Sequence, residues 1–180
     1  RIGEAEELGA ECVDHFGTFG ALKRQMDETL GVAPLPIVGQ PLREIDIEAV
    51  YYLTRAGKLT QVAADLVKPN GVIMSPDSRI LYVADPGAET IFAYDVPEPG
   101  KLANKRAVAS VGSDGMTIDK AGNFYVTWKG EIIAFSPEGT ERLRLTVPEG
   151  PSNCVLVGKT LYVTARTGFY AIDLEVEGVR

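Results

Sequence analysis

The sequence is poor in the residues that build histidine or cysteine sites, since its 180 residues include one histidine and two cysteines. Any Ser-His-Asp triad or multi-histidine zinc site would have to be built on His15, whose apolar neighbours in VDHFGTF favour a packing role. Cys12 and Cys154 stand far apart and match neither a disulfide framework nor a CxxC metal motif. We therefore expect two free thiols.

Long apolar runs and excess positive charge are also missing. Gly, Pro or a charged residue interrupts every apolar stretch before the roughly 18 residues that a membrane span needs, so we expect no membrane contact. The 18 Lys and Arg face 25 Asp and Glu, which gives a formal net charge of −7 and a pI near 4.8. This balance excludes a generic nucleic-acid binder.

The opening RIGEAEELGAE is acidic and has neither the basic start nor the apolar core of a signal peptide. This favours a soluble, cytoplasmic protein. Because the chain begins with Arg1 rather than Met, we expect its true start to lie upstream.

The N-terminal part differs in composition from the rest. The first 50 residues contain 4 basic and 10 acidic side chains, whereas the later charges nearly balance. Leu22, Met26 and Leu30 recur at helical spacing with a glycine after them, which predicts a short amphipathic helix. Three prolines in the following GVAPLPIVGQP predict an extended linker. We expect an acidic segment with helix and linker over 1–40 and a separate domain over 41–180.

Three later segments share one plan, in which a polar and a small residue lead into an apolar strand, a tight turn and a strand that reads aromatic-Val-small. They are NGVIMSPDSRILYVAD (70–85), DGMTIDKAGNFYVTW (114–128) and SNCVLVGKTLYVTAR (152–166). Each is followed by another apolar strand and a glycine turn, and AVYYLTRAGKLTQVAADL supplies a further such half before the first unit. Strands rich in Val, Ile, Tyr and Phe between Gly, Pro, Asn and Asp turns predict β-hairpins.

Four short strands per unit, at a period of about 40 residues, predict an all-β fold and a β-propeller. A β-sandwich is the alternative. The repeats amount to three to four blades, whereas closed propellers have about four to eight. An open arc leaves unpaired strand edges. We therefore expect either a fragment or truncated product, which we favour, or a chain whose ring is completed by self-association or by a partner chain.

Polar residues lead each innermost strand, and in a propeller these positions converge at the mouth of the central channel. Here they are Asn70, Asp114 and Asn153. Their amide and carboxylate oxygens are the ligands that a hard divalent cation such as calcium selects. The alternative is that Asn-Gly and Asp-Gly only form turns.

The stretches KPNGVIMSPDSRILYVAD, SDGMTIDKAGNFYVT, VPEGPSNC and LYVTARTGFYAIDLEVEG, in this order, resemble the senescence-marker/gluconolactonase/luciferin-regenerating-enzyme-like family of six-bladed β-propeller lactonases. The resemblance runs from Ala49 to the C-terminus, while members of the family are nearly twice as long. It implies that Asn70 and Asp114 bind a divalent metal, calcium first and zinc or manganese as alternatives. It also implies that Asn153 lines the channel or contacts the substrate. The glutamate ligand that the family takes from an EGP motif has no match here.

The chemistry that the resemblance implies is hydrolysis of a sugar-derived or small lactone. A metal would polarise the ester carbonyl while a carboxylate, for which Asp114 is the candidate, takes a proton from the attacking water. Two protein ligands make a weak site for a cation that takes about six to eight oxygens, so we expect weak turnover by this chain alone. The alternative function is a non-catalytic binding or scaffold module, or an inactive truncated fragment.

Overall fold

The structure, a computed structural model, describes residues 48–179, which form β-strands and no helix. No helix long and apolar enough to cross a membrane occurs among them. The helix expected over 21–30, the Pro-rich linker and the boundary at 40/41 lie outside the described residues, as do Cys12 and His15. These expectations stay predictions.

Within each sheet, every strand pairs antiparallel with its neighbours in sequence. Their bounds are β1 Val50–Leu53, β2 Leu59–Ala63, β3 Val72–Met74, β4 Ile80–Asp85, β5 Thr90–Glu98, β6 Lys101–Ala109, β7 Met116–Ile118, β8 Phe124–Trp128, β9 Glu131–Phe135, β10 Glu141–Thr146, β11 Pro151–Val157, β12 Thr160–Ala165 and β13 Phe169–Asp173.

Four sheets result, each a simple meander. We call β1–β2 the half-blade, β3–β6 blade 1, β7–β10 blade 2 and β11–β13 blade 3. Two sheets thus have four strands, one has three and one has two. The repeated meander is that of propeller blades, and the prediction of an all-β propeller arc of three to four blades is confirmed.

Blade 2 shows why its strands read as continuous apolar runs. Successive side chains of a strand point to opposite faces, and both faces of this sheet are covered. Phe124 and Ile133 pack in a cluster shared with blade 1, whereas Tyr125 and Ile132 pack in a cluster shared with blade 3. All four are almost fully buried, so the strand EIIAF (131–135) has no polar alternation in its middle.

Blade 3 is covered on one face by the described residues. Cys154 and Leu156 of β11 face blade 2 and are buried. On the other face Val155 is 37% and Phe169 67% exposed, and the Phe169 ring stacks on Tyr162 at a centroid distance of 5.8 Å. Tyr162, which matches the buried aromatic positions of the first two repeats, therefore remains half-buried.

The innermost strands approach one another closely at Gly115. A Cβ added there would lie 2.4 Å from both Cα and Oδ1 of Asn153 on the next blade. Real Cβ atoms do not come so near to backbone, so only glycine allows this spacing. The glycine of the DG motif thus sets the distance between blades 2 and 3.

We expect Gly115→Ala to lower the free energy of unfolding by about 2–3 kcal/mol, because the added methyl group must push two blades apart. Urea denaturation with a linear fit measures the change. Gly150→Ala is the matched control in a nearby loop, since the nearest atom to its new Cβ is Arg166 Nε at 4.0 Å. Equal stabilities for the two variants would contradict the proposed contact.

Candidate functional site

One end of the blades carries all three residues that sequence analysis predicts for the site. Strand direction alternates in a meander, so the loops that precede each innermost strand and the turns between second and third strands lie at the same end. We call these loops, together with the strand residues that border them, the mouth loops: 66–71, 85–89, 110–115, 128–130, 147–153 and 165–168.

Asn70 and Asp114 meet at this end although 44 residues separate them in the sequence. Asn70 Nδ2 donates to Asp114 Oδ1 at 2.8 Å in an exposed position. The backbone supports the contact, because Asn70 N donates to Ala84 O at 2.9 Å and Gly71 N to Ser113 O at 3.3 Å. The two side chains are thus close enough to share one ion.

Asn153 lies beside this pair, against the Gly115 backbone. Its Oδ1 accepts a hydrogen bond from Cys154 N at 2.8 Å. Asn70 and Asp114 precede their strands, but Asn153 falls inside β11 and is paired with Thr164. The third repeat therefore brings its polar residue to the site with the side-chain oxygen already engaged by its own backbone.

The donor chemistry of Asn70 and Asp114 suits a hard cation, since both carry oxygen atoms. Asn70 presently turns its amide nitrogen toward the carboxylate, and a rotation of the amide group would present Oδ1 instead. Among residues 48–179 no group of three or more His, Cys, Asp or Glu side chains is placed to hold a metal. The described part of the chain therefore offers one carboxylate and neighbouring amides. These supply fewer oxygen ligands than calcium requires.

The loop that carries Asn70 is held by a buried carboxylate, Asp85. Its oxygens accept from Val67 N at 2.7 Å, Lys68 N at 2.8 Å and Ala88 N at 3.1 Å. A carboxylate with three N–H donors is well satisfied without water. Asp85 thus fixes the approach of the chain to Asn70 and acts on the site through the backbone.

Blade 2 holds its Asp114 loop with hydroxyl groups. Ser113 Oγ donates to Gly115 O at 2.6 Å and accepts from Thr127 N at 3.1 Å. Gly115 N in turn donates to Thr127 Oγ1 at 3.1 Å. Ser113 and Thr127 are buried, so this small network fixes the backbone on both sides of Asp114.

Blade 3 uses a third arrangement, centred on Glu149. This carboxylate accepts from Thr167 N at 2.7 Å, Thr167 Oγ1 at 2.8 Å and Gly168 N at 3.2 Å. These hydrogen bonds, with a further one from the Tyr170 hydroxyl, hold the pKa of Glu149 below its usual range. The repeat pattern does not single out Glu149, whose only signal in the sequence is its place in the loop before the third innermost strand.

Cys154 takes the place that glycine has in the first two repeats. It is a free thiol, as expected, and it is buried with Sγ 3.9 Å from Gly115 O. Burial raises its pKa to about 12. Because the thiolate is the nucleophilic form, this side chain has no role as a nucleophile at neutral pH.

Two cavities lie between the sheets and away from these residues. One, of about 500 Å³, separates the half-blade from blade 1 and is lined by apolar side chains such as Tyr52, Met74 and Leu102. The other, of about 610 Å³, lies between blades 2 and 3 beside Leu143 and Leu174. Neither of these two cavities is lined by the predicted site residues.

Comparisons with known proteins agree with this fold. The profile of the SMP-30/Gluconolactonase/LRE-like region matches residues 15–167, and so begins nearer the N-terminus than the stretches quoted above. A gluconolactonase of Zymomonas mobilis is 32% identical over 142 residues, covering 69% of this chain and 40% of that protein. A diisopropyl-fluorophosphatase of Loligo vulgaris is 31% identical over 132 residues, covering 64% and 42%.

The solved structure of a gluconolactonase from Xanthomonas campestris has a TM-score of 0.68 at 29% identity, covering 76% of this chain and 47% of that one. The chain spans less than half the length of these three relatives. The family profile matches well over half of the chain, and the repeated blades agree with it. This chain therefore belongs to the SMP-30/gluconolactonase/LRE-like family.

Proposed function

We propose that the intact protein is a metal-dependent hydrolase of small or sugar-derived lactones, with Asn70 and Asp114 as protein ligands of the metal. Calcium is the first choice because both side chains offer oxygen, and zinc or manganese are the alternatives. The observation that carries the proposal is the 2.8 Å contact between Asn70 and Asp114 at equivalent repeat positions. The relatives named gluconolactonase support the substrate class.

When bound, the cation would polarise the lactone carbonyl and stabilise the developing oxyanion. The side chains of this protein would orient the lactone and transfer the proton. Water adds to the carbonyl carbon as Asp114 accepts its proton, and the ring C–O bond breaks as the proton passes to the leaving ring oxygen. Asn153, on the next blade, would contact the substrate. Coordination weakens a carboxylate as a base, so the ligand and base roles of Asp114 must be tested separately.

We expect the 180-residue chain to hydrolyse gluconolactone at least about 100-fold more slowly than its full-length relatives, because incomplete positioning alone costs that much. A pH-indicator assay with excess calcium, zinc or manganese, against a chelator control, measures acid release. Turnover that is unchanged by the chelator would contradict the proposed metal-dependent function. Robust metal-dependent turnover would show that residues 1–47 or a partner chain complete the ligand set.

A non-catalytic binding module is the second candidate, and one observation favours it. The described residues place a single carboxylate at the mouth that is free of backbone and lysine partners, namely Asp114. If calcium binds to the intact protein without any lactone turnover, the binding function is the correct one.

A further inference from the structure

The charged side chains of the mouth loops are mostly committed to other groups. Asp85 and Glu149 accept hydrogen bonds from backbone N–H groups. Glu89 forms an ion pair with Lys129 at 2.9 Å. Asp114 is hydrogen-bonded to Asn70. Hydrogen bonds or an ion pair therefore already engage Asp85, Glu89 and Glu149, and Asp114 is the carboxylate assigned to the metal in the proposed function.

Two cations of the mouth loops remain without a partner. Among the described residues, the side chains of Lys68 and Arg166 form no ion pair and no hydrogen bond. An exposed cation in water costs little, so exposure alone would not distinguish these residues from an ordinary surface. The surroundings of Arg166 do distinguish it.

Arg166 lies in the turn between β12 and β13, close to the predicted site. Its neighbour Ala165 is paired with Pro151, and Asn153 is paired with Thr164 on the same strand. The Arg166 side chain lies near the loop that leads into Asn153, since its Nε is 4.0 Å from the Cβ position at Gly150. Arg166 is therefore at the same end of blade 3 as Asn153.

Glu149 explains why this guanidinium is free and yet well positioned. It is the acidic residue next to Gly150, and an ion pair with Arg166 would be the ordinary outcome. Instead its oxygens accept from Thr167 and Gly168, the two residues that follow Arg166 in the turn. The carboxylate thereby fixes the turn and forms no direct ion pair with the arginine that the turn carries.

We propose that Arg166 binds an oxyanion carried by the substrate, so that the preferred lactones bear a carboxylate or phosphate group away from the reacting carbonyl. A guanidinium binds either oxyanion through two parallel hydrogen bonds. Arg166 is then a specificity residue, and Glu149 is a positioning residue that acts through the turn. That the bound anion is part of a substrate rests on the proposed lactonase function. Anion binding by Arg166 does not depend on that function.

Direct binding tests the oxyanion site without any catalysis. Inorganic phosphate and malonate are titrated into the 180-residue chain at low ionic strength by isothermal calorimetry. We expect Arg166→Gln to weaken binding of the preferred anion about tenfold or more and Arg166→Lys to weaken it about threefold. Arg55→Gln is the matched control, because Arg55 is exposed in the β1–β2 turn at the opposite end of the blades. No binding, or equal binding by wild type and Arg166→Gln, would overturn the proposal.

Kinetics test the specificity role in a calcium-loaded form of the protein that hydrolyses an uncharged aldonolactone. The same ring carrying a terminal phosphate or a terminal carboxylate is compared with it, which separates the two anion sources. Arg166→Gln should raise KM for the preferred anionic lactone about tenfold and leave KM and kcat for the uncharged lactone unchanged. Glu149→Gln should raise the same KM by a smaller factor, whereas a purely structural role would affect all lactones alike.

The outcomes separate the two proposals. Equal effects of Arg166→Gln on charged and uncharged lactones would overturn the specificity role while leaving lactonase function intact. Failure to hydrolyse any lactone would contradict the proposed function, and the phosphate and malonate titrations would then decide the oxyanion site alone.

Discussion

Replacing Asp114 by alanine is expected to abolish metal-dependent lactone hydrolysis in the intact protein, with kcat falling by at least about 10³-fold. The variant loses the only carboxylate that the described residues offer to a cation at the mouth, and with it both the ligand and the candidate base. Initial rates with saturating calcium measure the loss, and calcium titration by calorimetry measures the change in affinity.

Asp114→Asn separates the two roles. An amide keeps one oxygen for the cation and removes the proton acceptor, so we expect detectable calcium binding with turnover as low as in the alanine variant. Asp77→Asn, in the exposed β3–β4 turn at the other end of the blades, is the matched control. Wild-type rates in Asp114→Ala would exclude this residue from the chemistry.

Asp85→Ala is expected to have the largest effect on stability, lowering the free energy of unfolding by about 2–4 kcal/mol. The carboxylate is fully buried, and its loss leaves the N–H groups of Val67, Lys68 and Ala88 without their acceptor. Urea denaturation measures the change. In the folded fraction the loop that ends at Asn70 is also released, so calcium affinity should fall as well.

Asp85→Asn is the graded comparison. Its amide oxygen can keep the position of Oδ1, which accepts from Lys68 N and Ala88 N, while its nitrogen faces Val67 N. We expect a loss of about half that of the alanine variant. Two variants as stable as wild type would show that water replaces the carboxylate and that the loop needs no such support.

The repeats made the architecture and part of the site predictable. Residues at the same place in repeated units occupy the same place in each blade, which is why Asn70 and Asp114 meet across 44 residues of sequence. The pattern says nothing about local hydrogen bonds. It did not foresee that Asn153 lies within a strand with Oδ1 bound to Cys154 N.

The groups that hold the mouth loops were less predictable because each blade uses a different one. Blade 1 uses the carboxylate of Asp85 after its second strand, blade 2 the hydroxyls of Ser113 and Thr127, and blade 3 the carboxylate of Glu149 before its first strand. These contacts form between segments that only the folded blade brings together. Alignment of the repeats reveals residues that they share. It does not reveal a position at which each blade uses a different group to hold its loop.

The covering of blade 2 on both faces has a consequence for how the arc opens. In a row of sheets that contact only their neighbours, the free energy of opening one sheet grows with the interfaces that it loses. Opening β8 and β9 breaks two apolar clusters, whereas opening β12 and β13 breaks one. Among residues 48–179, blade 3 is therefore expected to detach at a lower free energy than blade 2. Asn153 and Arg166 move away with blade 3. The hydrogen bond between Asn70 and Asp114, on blades 1 and 2, is then still formed.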